Sequence, residues 1–233
     1  MEKTPSFLEN LSELLKYLAV IPEASNGRIP PLAELSQELG ISTATLREQL
    51  EVARMMGIVE VRPKTGIRLQ EYSFRPAVTT SVAYAVSQES TNFAAFSDVR
   101  KHLEAAYFIE AAQLLSLNDI QALSQIVNHA QDKMQSSFMQ IPNHEHREFH
   151  LLIFKNLRNV FVTGMLEAYW DLYRAAGLEI YPDVNYLQRI WQYHSLIVDL
   201  IRQKDFAKGL NVLLEHMDLI KQRERPTPRQ SFE

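Results

Sequence analysis

Apolar residues recur at helical spacing through most of this chain, and at alternating spacing in one short stretch. Over 7–20 the positions Phe7, Leu8, Leu11, Leu14, Leu15 and Leu18 predict an amphipathic helix that Pro22 ends, and Asn26-Gly27 marks a turn. Pro30 and Pro31 open a short second helix with Leu32, Leu35 and Leu39 on one face, and Gly40 is placed to close it in the left-handed conformation. Ser42 can then cap a third helix over 43–56, with Leu46, Leu50 and Met55 inward. After Gly57 the period changes. Ile58, Val59 and Val61 lead to a Pro63-Lys64-Thr65-Gly66 turn, and Ile67 and Leu69 alternate with Arg68 and Gln70, which predicts a β-hairpin.

Helix, short helix, tight turn, helix and hairpin is the layout of a winged helix-turn-helix over residues 1–72. Pro76 is expected in a hinge. Beyond it the pattern predicts helices over 77–88, 93–115, 117–140, 144–156, 160–177, 184–203 and 205–222, with Gly177 and Pro182 at one break. The expected fold is therefore mainly α: a winged head, then an all-helical bundle of six to seven helices over 77–222, then a frayed tail over 223–233.

Composition narrows the classes. In 233 residues, 46% are hydrophobic and 22% charged, which suits a soluble protein with a sizeable core. There is no Cys, so thiolate metal sites and disulfides are excluded, and a reducing cytoplasm is the expected location. No apolar run approaches a membrane span, and the first ten residues lack a signal peptide's basic start and apolar core. The net charge of −4 offers no global attraction for nucleic acid. Residues 1–72 carry eight Lys and Arg against ten Glu, so any footprint on DNA must be local. The first turns of the second helix of the pair would face the major groove, which selects Thr43, Thr45 and Arg47. Arg62, Lys64 and Arg68 fall on or near the wing, where cations meet phosphates.

His146 and His150 lie four apart, so both imidazoles leave one face of one helix, and Leu151, Leu152, Ile153 and Phe154 follow. His194 and His216 sit in later amphipathic segments. Taken alone, the first pair reads either as metal ligands or as packed core histidines. His144, two before His146, points elsewhere, toward the surface.

Residues 29–69 resemble the head of a GntR-type regulator. The residues that carry this are Ile29-Pro30 with Glu34-Leu35-Ser36, Leu39-Gly40-Ile41-Ser42, Leu46-Arg47-Glu48 with Leu50, Gly57-Ile58-Val59, and Gly66. Two positions depart from the family pattern: Ala33 and Thr43 stand where it usually has Arg, which implies a changed operator or weaker binding. Roughly 77–222 resembles the helical ligand domain of the FadR-like branch, the type called FCD. There the carriers are Val99-Arg100 with Leu103-Glu104, Phe149-His150 with Asn159, His194 with Ile197, Asp205 with Ala207, and His216. That resemblance implies a metal held by His146, His150, His194 and His216, with His146 in place of the usual Asp. Four imidazoles suit zinc or nickel better than magnesium, calcium or manganese. It further implies a small organic acid effector held by Arg100 and Asn159, a two-fold operator, and a homodimer that doubles the base pairs read. For two of these residues a plainer role stays open: Arg100 as the intrahelical partner of Glu104, and Asn159 as a helix cap. Two other functions compete, a water-activating metalloenzyme and a structural metal-binding dimer that has lost specific DNA binding. Against the enzyme, His146-Arg147-Glu148-Phe149-His150 has its Glu one position late for the HExxH arrangement.

Overall fold

The structure is a computed structural model that describes residues 9–21, 27–63, 66–136, 138–175 and 183–219. The chain divides into two compact units, the first ending at Tyr84 and the second beginning at Ala85.

In the first unit, α1 (Glu13–Ala19) is capped by Ser12 and buries Leu14 and Leu18. Next come β1 (Arg28–Ile29), α2 (Leu32–Leu39) and α3 (Thr43–Met55). Gly40 closes α2 at φ 65°, and the Ser42 hydroxyl accepts from the Thr45 N–H at the start of α3. The strands β2 (Val59–Arg62) and β3 (Gly66–Leu69) form the expected hairpin. The two-residue β1 was not expected. It pairs antiparallel with β3, giving the order β1-β3-β2 and setting Arg28 opposite Arg68. Leu14, Leu18, Ile29, Leu35, Leu46, Ala53, Val59 and Ile67 close one core beneath these elements.

Pro76 is not in a hinge: it lies in the first turn of α4 (Arg75–Gln88), where its fixed φ and missing N–H cost nothing. The division between the units falls inside this helix.

The second unit holds α5 (Asn92–Gln113), α6 (Leu117–Gln135), α7 (Asn143–Phe154), α8 (Val160–Ala175), α9 (Val184–Arg202) and α10 (Phe206–Asp218). α6 ends earlier than periodicity predicted, because Ser136 turns extended (ψ 153°). A tight turn at Gln203 and Lys204, followed by the Asp205 cap, makes α9 and α10 neighbours. α7 packs on α5, α6 and α8, and α10 on α5 and α9, around a core that includes Phe108, Leu123, Phe149, Ile153, Trp191, Ile197 and Leu213. The expected tail over 223–233, the break at Gly177 and Pro182, and Lys64 lie outside the described residues.

Candidate metal centre and nucleic-acid face

Several polar side chains stand within this second core, all buried except the half-buried His146. α7 presents His146 and His150, α9 His194, and α10 His216, while Arg100 and Glu104 come from α5. His194 and Glu104 are wholly buried, and His150, His216 and Arg100 nearly so. One ligand atom from each of the four histidines lies within 4.8 Å of the others. Within the group, His216 Nε2 stands 3.2 Å from His150 Nε2 and 3.2 Å from His194 Nε2. The four rings that the resemblance named are thus brought together from three helices, α7 and the later pair α9 and α10.

Aromatic side chains fix the rings. Phe149 stacks on His194 at 4.1 Å between centroids, Trp191 meets His194 edge-on at 4.7 Å, and Trp170 meets His146 edge-on at 4.8 Å. Burial pushes the pKa values of His150, His194 and His216 well below the ordinary imidazole value, and neighbouring cationic groups add to the effect. Neutral imidazole is the ligand form.

Arg100 takes one of the two roles that the sequence left open, as the intrahelical partner of Glu104. Its Nε donates to Glu104 Oε1 at 2.5 Å, one helical turn away, while Nη2 is buried with no hydrogen-bond partner among the described residues. The guanidinium lies over Tyr169 at 4.4 Å and Trp170 at 4.6 Å, a cation–π contact on both rings. Asn159 is a cap: its Oδ1 accepts from the N–H groups of Phe161 and Val162, and its Nδ2 donates to the Tyr107 hydroxyl. Those bonds engage both ends of the carboxamide, and nothing in them directs it to the histidines. His144 is exposed and pairs with Glu148 at 3.2 Å.

Sequence reasoning missed the reach of Glu104. It appeared only as an intrahelical partner of Arg100, yet its second oxygen meets His150 Nδ1 at 2.9 Å across 46 residues. No spacing rule reports a contact between two helices.

On the head, Thr45 and Arg47 are exposed, and Thr43 is half-buried. Thr45 joins the cap, its hydroxyl 2.9 Å from that of Ser42, and the Thr43 hydroxyl reaches that of Ser36 at 3.5 Å. Arg62 is exposed but paired with Glu60 at 2.7 Å. Arg28, Arg47 and Arg68 are exposed with no acidic partner among the described residues. Arg28 was not picked from the sequence, because its place beside Arg68 depends on the unexpected strand.

The FCD domain family matches residues 96–219, more than half of the chain. The chain belongs to the FCD-domain family. Joined to the winged head, that domain makes it a GntR-type transcription regulator. It is 22% identical over 200 residues to the Uxu operon regulator of Haemophilus influenzae, covering 83% of this chain and 72% of that one. Its fold is similar to a solved Streptococcus agalactiae GntR structure, with TM-score 0.55 and 17% identity over 84% of this chain and 88% of the other. These relatives are regulators, and the hydrolase reading gains no support from the site. Glu148 pairs with His144 at the surface, and both oxygens of Glu104 are engaged. Among the described residues, no helix is long and apolar enough to cross a membrane.

Proposed function

We propose that this regulator binds a two-fold operator as a homodimer. Its FCD domain holds a divalent transition metal, zinc or nickel, on His146, His150, His194 and His216, and a small organic acid binds beside that metal. The observation that carries this reading is the convergence of three buried Nε2 atoms, with those of His150 and His194 each 3.2 Å from that of His216. Two nitrogens bound to one ion at about 2.0–2.1 Å stand about 3 Å apart, so the spacing fits. Hydrogen bonding alone fits less well: a single hydrogen on His216 Nε2 can serve one neighbour but not both.

The donor set is all imidazole and neutral. It favours borderline metals and leaves the 2+ charge without a carboxylate ligand to balance it. Bound there, the metal supplies a Lewis-acidic position for an anion. Arg100 suits the same anion, since its buried Nη2 has no partner and a guanidinium fork matches a carboxylate. An acid that binds two arrangements of the heads unequally would shift DNA affinity by that difference. Arg47 is proposed to read bases, with Arg62, Lys64 and Arg68 on phosphates and Thr43 and Thr45 lining the groove face. The name of the Haemophilus relative supports control of an operon. A reducing cytoplasm is the proposed location.

Elemental analysis of the full chain, purified without chelator or affinity metal, tests the centre. One zinc or nickel per chain is expected, with loss on His150→Ala and His194→Ala. A wild-type chain carrying no stoichiometric transition metal, and taking none up on dialysis, would falsify the metal centre.

A further inference from the structure

We infer that Glu104 is the positioning residue of the metal centre: it holds His150 in the tautomer whose Nε2 lone pair faces the other histidines. The inference rests on the metal reading above and adds a residue to it.

An ionised carboxylate only accepts hydrogen bonds, and a neutral imidazole has one donor nitrogen and one acceptor. Glu104 Oε1 accepts from Arg100 Nε at 2.5 Å, and Oε2 faces His150 Nδ1 at 2.9 Å. Burial pushes the Glu104 pKa up, and Arg100, which cannot give up its proton, opposes that rise as the bonded countercharge; the paired carboxylate is taken as ionised. The hydrogen on His150 must then sit on Nδ1, and Nε2 is left bare, 3.2 Å from His216 Nε2. No comparable contact orients the other two deeply buried rings: His194 Nδ1 and His216 Nδ1 are buried without a hydrogen-bond partner among the described residues. Of the three deeply buried rings, His150 is the one that a carboxylate reaches, and that carboxylate comes from α5, which contributes no ligand. Metal-bound histidines commonly donate their second nitrogen to a carboxylate in this way, and losing that partner weakens metal binding roughly 10–100-fold.

Glu104→Gln is the sharp test because it keeps shape and removes one acceptor. If the amide oxygen stays on Arg100 Nε, the NH₂ group faces His150, demands an acceptor at Nδ1, and moves the imidazole hydrogen to Nε2, the wrong nitrogen. If the amide flips, its NH₂ group opposes Arg100 Nε, donor against donor. Either way the arrangement fails.

Zinc affinity is measured on the full chain by competition with a chromophoric chelator, with circular dichroism as a check on folding. Glu104→Gln is expected to bind zinc 10–100-fold more weakly than wild type while keeping its helix content. Binding within twofold of wild type overturns the inference. Should the variant fail to fold, long-range proton–nitrogen correlation spectra of histidine-labelled, metal-free wild type decide the question. The expected signature is a protonated Nδ1 and a bare Nε2 on His150, and the reverse tautomer overturns the role. A wild-type chain that takes up no zinc, yet shows this tautomer, removes the metal reading while leaving the Glu104–His150 geometry standing. The two failures are therefore separable.

Discussion

Three imidazoles with depressed pKa values make the second unit sensitive to acid. His150, His194 and His216 are held well below 6.5 by burial first and by neighbouring cationic groups second. Above about pH 6.5 all three are neutral in the folded and the unfolded chain, and they leave stability independent of pH. As the pH falls below that value, the unfolded chain takes up protons that the folded chain refuses. Each group can then cost up to about 1.4 kcal/mol per pH unit until its own folded pKa is reached. The metal-free protein is therefore expected to lose a few kcal/mol between pH 7.5 and 5.5. Urea unfolding followed by the fluorescence of Trp170 and Trp191, both packed around the histidines, measures it. Equal stability at the two pH values would contradict the burial of these rings. At Gly57 the constraint is backbone. Its φ is 72°, and an added Cβ would stand 2.6 Å from Pro76 Cγ. Gly57→Ala should cost on the order of 2 kcal/mol in thermal unfolding of the head, from strained φ and a displaced proline ring.

Among the elements, the start of α6 and the end of α7 are tied by one carboxylate. Asp119 completes a capping box with Ser116, accepts from Asn156 Nδ2 at 3.2 Å and pairs with Lys155. These partners, Lys155 first, hold its pKa far below the usual carboxylate range. Asp119→Ala should cost about 1–2 kcal/mol in urea unfolding and leave metal content unchanged, since none of its partners touches the histidines. A loss of metal instead would mean that this joint sets the position of α7 along its whole length. The helices of the second unit were legible in the sequence because each runs for 12 residues or more. β1 was not, because two residues beside a proline carry no period to read. Pro76 was misread because the residue that breaks a helix interior is also one that starts a helix. The histidine cluster was legible through the family's positions alone. The bond from Glu104 to His150 depends on how α5 and α7 pack, and that information is spread over the whole core rather than held at either residue.

For the whole molecule, the sparse positive charge bounds how the proposed operator complex must behave. The chain carries −4 overall, and the head has more Glu than Lys and Arg, so no broad field draws in DNA. Contacts must come from individual cations, and the structure separates these by availability. Arg47 and Arg68 are exposed without an acidic partner among the described residues, whereas Arg62 is paired with Glu60 at 2.7 Å. The affinity of such a complex falls with salt at a slope of about 0.9 per phosphate neutralised. In the proposed dimer, Arg68→Ala removes one such contact from each head. The plot of log affinity against log salt should flatten by about 2, with similar weakening on every sequence. Arg47→Ala acts differently if it reads a base edge: about 1–3 kcal/mol is lost per half-site on the selected operator, and much less on random duplex. Arg62→Ala should change the slope least, because that cation already has a partner. Gel shifts at several salt concentrations, on an operator selected from random duplexes, measure all three variants together. An unchanged slope for Arg68→Ala would remove the wing from the interface. Failure to enrich any motif in the selection would instead point to a metal-binding dimer without specific DNA recognition, consistent with Ala33 and Thr43 standing where the family usually has arginine.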